Sequence, residues 1–281
     1  MRKIALIFVA ACLAAGCSQE FSWQKFSIDS HRTGVTIVNG TDYAPALGTV
    51  EGGVYTAPNG RTFSGGCTPA VAALLIGAQK EMAPVKEVIG HLPEDMDKYD
   101  PESPLSNFVV DFVRERTAEV TGKKVDVAIT NFGGIRTDKL YAGPLLLDDI
   151  ESMLPFVNKL SYVKIAGSDL MNIMDDLASR KMQCLSGVKL VVSDGKVESL
   201  QIGGRPFDPA RSYGVATVDF LLDGGDSLYV ARGARELIIT DEVIGKAMES
   251  YIRSLSAAGK DIAGSTDGRV IVKDNKESSS E

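Results

Sequence analysis

The chain has 281 residues and an acidic balance, with a formal net charge of −7 that comes from 30 basic and 37 acidic residues. No run of basic residues stands out, so nucleic acid is not expected as a partner. The length that remains after removal of a signal peptide suits one fairly large domain with its own core, together with an N-terminal extension.

The N-terminus carries the pattern of a secretory signal. A basic start is followed by an apolar run over residues 4–15 and then by Cys17. The run is too short to span a bilayer, and this order of segments is typical of a cleaved signal. The residues before Cys17 resemble a bacterial lipobox, in which this cysteine becomes the lipidated first residue. The alternatives are an ordinary secretory signal and a cytosolic protein with an apolar start.

We therefore expect a signal peptide at residues 1–16 and a secreted, lipid-anchored protein. Ser18, rather than an aspartate that would retain the protein in the inner membrane, follows Cys17. In a Gram-negative organism this resembles an outer-membrane lipoprotein that faces the periplasm.

Residues 17–84 are predicted to form the N-terminal extension. A strand is predicted at residues 35–38, and residues 54–63 are expected to form a hairpin about a Pro-Asn-Gly turn. Thr68 is the predicted N-cap of a helix that has Pro69 at its first position. Apolar residues then recur at helical spacing.

Two cysteines besides Cys17 remain in the mature chain, Cys67 and Cys184. They could form one disulfide in an oxidising compartment or remain two buried thiols, and their spacing leaves both possibilities open. Neither belongs to a Cys-x-x-Cys pair, so the sequence does not indicate a zinc site.

Residues 85–273 alternate predicted strands and helices, which indicates an α/β or α+β fold with a mixed sheet. The best-marked helix begins at Ser103 or Ser106, carries an apolar stripe and ends before Gly122. Residues 274–281 form a polar tail that we expect to be disordered. The other predicted elements are strands at 85–90, 125–130, 162–165, 213–218 and 269–272, a hairpin of 188–192 with 196–202, and helices that begin at Asp148 or Asp149, at Asp169 and at Asp241.

The most informative stretch is Asn131-Phe132-Gly133-Gly134-Ile135-Arg136, which follows the apolar strand at 125–130. Two adjacent glycines allow a sharp turn and a close approach of the backbone to a ligand. An amide on one side and a guanidinium on the other suit a small anionic or hydrogen-bonding ligand. The alternative is an ordinary strand-to-loop turn with a surface arginine.

This hexapeptide resembles the signature of the C-terminal, substrate-binding domain of the 5'-nucleotidase family. That family includes bacterial periplasmic UDP-sugar hydrolases and 2',3'-cyclic nucleotide phosphodiesterases. Residues 154–158 resemble the Pro-Phe segment that supplies one base-stacking phenylalanine, and residues 219–226 resemble the Phe-x-x-x-Gly-Gly-Asp segment that supplies the other. The resemblance runs from about Val85 to Val272.

The resemblance implies a ligand site for a nucleotide, a nucleoside or a similar ring-bearing molecule. Phe156 and Phe220 would sandwich the flat ring, because any base presents a π-face. Asp226 would accept hydrogen bonds from ribose hydroxyls, Asn131 would bond a base or ribose edge, and Arg136 would reach a phosphate. Taken singly, each phenylalanine is more typical of a core residue, and residues 223–226 are typical of a plain turn.

The sequence departs from the family in its metal ligands. In the family, a separate N-terminal metallophosphatase domain holds two metal ions, which activate water and stabilise phosphoryl oxygens. Such a site needs several histidines, whereas this sequence has only His31 and His91. We therefore expect no cofactor and no catalytic residue in this chain, with divalent metals only on a partner metallophosphatase.

A second departure concerns the phosphate. The family places phosphate-binding arginines just before the second helix, but residues 99–108 contain no arginine, and Asp100 and Glu102 would repel a phosphate. Only Arg136 of that cluster is retained. Two functions follow: the nucleotide- or nucleoside-binding subunit of a split 5'-nucleotidase that acts in nucleotide catabolism, or a non-catalytic ligand-binding or structural lipoprotein with a degenerate site.

Overall fold

The computed structural model describes residues 44–273. The predicted signal peptide, Cys17, the strand at 35–38 and the polar tail lie outside this range. The helices in the described part are α1 (Ala44–Leu47), α2 (Thr68–Met82), α3 (Pro104–Thr121), α4 (Leu147–Met153), α5 (Gly167–Ser179) and α6 (Ile244–Ala257). Across these residues, no helix combines the length and apolarity needed to cross a membrane.

The strands confirm the predicted mixed α/β fold. In chain order they are β1 (Thr49–Glu51), β2 (Val54–Thr56), β3 (Thr62–Phe63), β4 (Val88–Leu92), β5 (Met96–Asp97), β6 (Val127–Thr130), β7 (Lys139–Leu140), β8 (Gly143–Leu146), β9 (Lys159–Ala166), β10 (Cys184–Ser186), β11 (Val188–Ser193), β12 (Lys196–Ile202), β13 (Arg205–Pro206), β14 (Ser212–Val218), β15 (Glu236–Val243) and β16 (Val270–Lys273).

The main sheet has five strands in the order β10-β6-β14-β9-β15. β6 and β14 run parallel, and the other neighbours are antiparallel. All four residues of β6 are buried, as expected for a central strand. A Cβ at Gly214 would lie 2.2 Å from the carbonyl oxygen of Lys124, so β14 passes the segment before β6 too closely for a side chain. Val215 and Ala216 of β14 pair in parallel with Val127 and Ala128 of β6, so the carboxyl ends of the two strands lie side by side.

A second sheet, of order β13-β12-β11-β16, is built on the predicted hairpin. The turn between β11 and β12 is formed by Asp194 and Gly195, which both have positive φ, as a two-residue hairpin turn requires. β16 adds in parallel to β11. The smaller pairs are β4 with β8 and β5 with β7.

Helix α3 packs on the main sheet through its predicted stripe. Ser103 and Ser106 form a reciprocal cap: the Ser103 hydroxyl accepts from the Ser106 amide at 3.2 Å, and the Ser106 hydroxyl accepts from the Ser103 amide at 3.0 Å. Gly122, with φ of 62°, ends the helix in the left-handed conformation. The predicted stripe is buried as expected and comprises Leu105, Phe108, Val109, Phe112 and Val113.

Helix α2 differs from its prediction. It begins at Thr68, so Cys67 is the N-cap and Pro69 lies at the second helical position. The hairpin of β2 and β3 before it is confirmed. The apolar stripe of α2, however, is largely exposed, with Leu74 at 73%. The helical spacing of apolar residues correctly predicted the helix, but it did not predict that the apolar face would be exposed.

Other predicted starts are wrong as well: α5 begins at Gly167 rather than Asp169, and β9 begins at Lys159 rather than at residue 162. β4 begins at Val88, because residues 83–86 form a 3-10 turn that contains Pro84. Asp149 is not the N-cap of α4; its carboxylate accepts from the Leu146 amide at 2.8 Å, from within the first turn. Asp241 lies on β15, and α6 starts only at Ile244. Sequence reasoning missed β15 altogether.

The two cysteines are both free thiols, so the disulfide interpretation is wrong. Cys67 is exposed, whereas Cys184 is buried on β10 opposite Thr130 of β6. Burial raises the pKa of the Cys184 thiol to about 12. This cysteine therefore behaves as a small core residue.

Candidate functional site

The central loop begins where β6 ends. Asn131 has extended backbone angles, and residues 132–134 form a 3-10 turn. The amide of Phe132 donates to the side-chain oxygen of Gln183 at 2.9 Å. Gly134 leaves room for the Asn131 side chain, because a Cβ at this position would lie 2.7 Å from Asn131 Oδ1. The two glycines thus let the asparagine side chain fold over its own loop.

A second loop follows β14, the parallel neighbour of β6. Asp219 fixes its start, since one carboxylate oxygen accepts from the amides of Lys159 at 3.0 Å and of Phe220 at 2.9 Å. Gly224 and Asp226 then both take positive φ, of 103° and 48°. This conformation is uncommon for a residue with a side chain, and here it brings the Asp226 carboxylate back over the sheet edge.

The two loops are joined by one side-chain hydrogen bond. Asn131 Nδ2 donates to Asp226 Oδ2 at 2.6 Å, although the residues are 95 positions apart. Gly225 makes this closure possible, because a Cβ at Gly225 would lie 2.0 Å from the carbonyl oxygen of Phe220. The loop segment that carries Phe220 and the segment that carries Asp226 are therefore folded tightly on each other.

All seven predicted ligand-binding residues line one cavity of about 210 Å³, which we call the ring cavity. Phe156 and Phe220 are 45% and 47% exposed, so neither is a core residue. The cavity is also lined by Asn158, which sequence reasoning missed. The full lining is Asn131, Gly133, Gly134, Arg136, Phe156, Asn158, Phe220 and Asp226.

Arg136 forms part of the wall beside Phe156. Its guanidinium carbon lies 5.9 Å from the centroid of the Phe156 ring, within the range of a cation–π contact. Arg136 Nη1 donates to the carbonyl oxygen of Gly133 at 3.4 Å. The ring cavity therefore combines two aromatic faces, one cation and one carboxylate.

A family model that describes the C-terminal domain of 5'-nucleotidases matches residues 88–232 of this sequence. The chain belongs to the 5'-nucleotidase C-terminal domain family. The match covers both loops of the ring cavity.

Individual proteins resemble this 5'-nucleotidase C-terminal domain over part of their length. Protein UshA of Escherichia coli is 28% identical over 144 residues, which cover 50% of this chain and 26% of that protein. Cell wall protein Lmo0130 of Listeria monocytogenes is 31% identical over 194 residues, which cover 63% of this chain and 24% of that protein. The chain thus spans about a quarter of the length of these curated relatives.

A solved structure shows the same fold. The 5'-nucleotidase precursor from Thermus thermophilus superposes with a TM-score of 0.64 at 22% identity, over 78% of this chain and 45% of that one. The two proteins therefore share the arrangement of strands and helices over this range.

The two acidic residues before α3 have different surroundings in this 5'-nucleotidase C-terminal domain. Glu102 is buried, and its Oε1 accepts from Asn107 Nδ2 at 2.9 Å and from the Asp267 amide at 2.6 Å. It ties the loop before β16 to α3 and lines no part of the ring cavity. Glu102 thus lies outside the ring cavity lining and its carboxylate is bound within the fold. Its repulsion of a phosphate stays a prediction. Asp100 pairs with Lys181 at 3.0 Å.

The described part of the chain offers no cluster of metal ligands. Residues 44–273 contain no group of three or more His, Cys, Asp or Glu side chains that could hold a metal ion. His91 is exposed and lies 3.5 Å from Asp261, measured from Nδ1 to Oδ1. His31 lies outside the described residues.

Proposed function

We propose that the ring cavity binds the base and ribose of a nucleoside or nucleotide. The observation that carries this proposal is the placement of two half-exposed phenylalanine rings and the Asn131–Asp226 pair around one cavity. Stacking between aromatic side chains and a base contributes about 1–3 kcal/mol per base. Phe156 and Phe220 are half-exposed and do not pack in the core. Their rings are therefore free to stack on a ligand, which favours a ligand role over a structural one.

The polar residues give the cavity its specificity for a ribosyl ligand. Asn131 Nδ2 bonds Asp226 Oδ2 and so orients the carboxylate. The second oxygen, Oδ1, is then the acceptor for ribose hydroxyls. Asn158, beside Phe156 in the lining, offers both a donor and an acceptor to the edge of a base. Arg136 supplies a charge-assisted donor in the wall beside Phe156.

In the cell, this chain supplies the substrate-binding part of a 5'-nucleotidase in nucleotide catabolism, and a separately encoded metallophosphatase supplies the metal ions and the chemistry. Cys17 carries a lipid that anchors the secreted chain, at the periplasmic side of the outer membrane in a Gram-negative cell. The family assignment supports the substrate-binding role.

The ribose contact is tested by replacing Asp226 with alanine. We expect adenosine affinity to fall by about tenfold or more, since a hydrogen bond to a charged group contributes about 1.5–3 kcal/mol. The affinity for 2',3'-dideoxyadenosine, which has no ribose hydroxyls at these positions to donate, should change little. Isothermal titration calorimetry measures both.

A matched control is Asp223→Ala, which removes a carboxylate from the same loop but not from the cavity lining. It should leave both affinities unchanged. An equal loss for both ligands in Asp226→Ala would show that the carboxylate supports the loop and does not contact ribose.

The split-enzyme role is tested by AMP hydrolysis. A separately expressed metallophosphatase domain of the family should release phosphate from AMP faster when this chain is added, and Phe220→Ala should give less stimulation. The chain alone should release none. An unchanged rate on addition of the chain would contradict a role in catalysis by a partner and leave ligand binding as the function.

A further inference from the structure

A second cavity, of about 420 Å³, opens beside the ring cavity. Gly133 and Asp226 line both, so the two spaces meet at the carboxylate that we assign to ribose. We call the second space the basic groove, because Arg180 and Lys181 supply its cations. Any substituent of the ribose that leaves the ring cavity past Asp226 enters this groove.

The segment that carries the two cations is fixed to the central loop. Arg180 follows the end of α5, and the side chain of Gln183, three residues later, accepts from the amide of Phe132 at 2.9 Å. Arg180 also donates to the carbonyl oxygen of Ser227 at 3.2 Å, next to Asp226. The cations are thus positioned by both loops that build the ring cavity.

Both cations are held by carboxylates that a ligand can displace. Arg180 pairs with Asp176, and Lys181 pairs with Asp100 at 3.0 Å. All four side chains are at least 42% exposed, and ion pairs between exposed side chains are weak. A phosphate offers more charge and more acceptor oxygens than a single carboxylate. We therefore expect a phosphate to replace Asp176 and Asp100 as the partner of the two cations.

We propose that Arg180 and Lys181 bind a phosphate on the ribose of the ligand. The family places its phosphate-binding arginines before the second helix, but residues 99–108 of this sequence contain no arginine. This inference rests on the proposed nucleoside site. It assigns the cationic end of the site to the C-terminal side of α5, where Lys181 faces Asp100 of that stretch.

The test is calorimetric titration of the full chain with adenosine, 5'-AMP and 3'-AMP. The quantity of interest is the adenosine Kd divided by the Kd of each monophosphate. We expect at least one ratio to be about ten, the effect of one charge-assisted contact, and the isomer that shows it identifies the ribose position that faces the groove. Arg180→Gln and Lys181→Gln should each bring this ratio toward one, with the adenosine Kd unchanged.

Asp100→Asn should have the opposite effect, because it removes the carboxylate that competes for Lys181 and so raises the ratio. Lys189→Gln, an exposed lysine on β11, is the matched control and should change nothing. The ratio of the adenosine Kd to the monophosphate Kd should thus fall in Lys181→Gln and rise in Asp100→Asn. A general loss of stability would not change the ratio in opposite directions for the two partners of one ion pair.

Ratios that are unaffected by Arg180→Gln, Lys181→Gln and Asp100→Asn would overturn the inference, as would a ratio that responds only to Arg136→Gln. Ratios near one for both isomers in the unmodified chain would overturn it too. In these cases intact adenosine binding would leave the proposed function standing. Absence of adenosine binding to the unmodified chain would overturn both.

Discussion

Phe220→Ala is expected to reduce adenosine affinity by about tenfold or more, because loss of one aromatic platform removes about 1–3 kcal/mol of stacking. The ring is 47% exposed, so its removal creates no enclosed cavity in the core. Calorimetry should therefore show the loss in binding, while thermal unfolding of the chain without ligand changes little. Phe156→Ala should act in the same direction from the opposite wall.

Leu237→Ala provides the matched control for Phe220→Ala. Leu237 is 45% exposed on β15 and lies outside the ring cavity. Its replacement should leave adenosine affinity unchanged. If Phe220→Ala lowers the unfolding temperature and leaves affinity intact, then the ring stabilises its loop and the stacking role is wrong.

Gly225→Ala is expected to have a larger effect on binding. The added methyl group would lie 2.0 Å from the Phe220 carbonyl oxygen and 2.8 Å from Phe220 Cδ1, distances that force the loop to move. Because the loop holds both Phe220 and Asp226, stacking and the ribose contact should be lost together, for a decrease of about 100-fold or more. Calorimetry with adenosine measures this loss.

Gly77→Ala is the control for Gly225→Ala. Gly77 lies in α2, and a Cβ there meets nothing within 4 Å. An alanine in this helix should slightly raise stability and leave binding unchanged. Adenosine affinity that survives in Gly225→Ala would mean that the tight approach of the two loop segments is not needed for the site.

The sequence predicted much of this site because its motifs follow strands that end side by side. The hexapeptide after β6 and the Phe-x-x-x-Gly-Gly-Asp segment after β14 meet at one sheet edge, since the two strands are parallel neighbours. Local signals also placed α3, whose serine cap and terminal glycine are both used. Asn158 was overlooked because no local pattern separates a cavity-lining asparagine from a surface one.

The features that the sequence did not predict depend on contacts between distant residues. Glu102 could not be recognised as buried, because the amides of Asp267, Gly268 and Val270 that donate to it lie far along the chain. Arg180 and Lys181 gave no signal, because the groove exists only where α5 approaches the two loops. β15 was missed because the final helix was predicted to begin at Asp241, which lies within this strand, whereas α6 begins at Ile244.

The most direct test of the central claim is a crystal structure of the full chain with adenosine. The proposed function predicts a base between the rings of Phe156 and Phe220, with the ribose hydroxyls within hydrogen-bonding distance of the Asp226 carboxylate. Adenosine bound elsewhere, or an empty ring cavity at saturating adenosine, would contradict it.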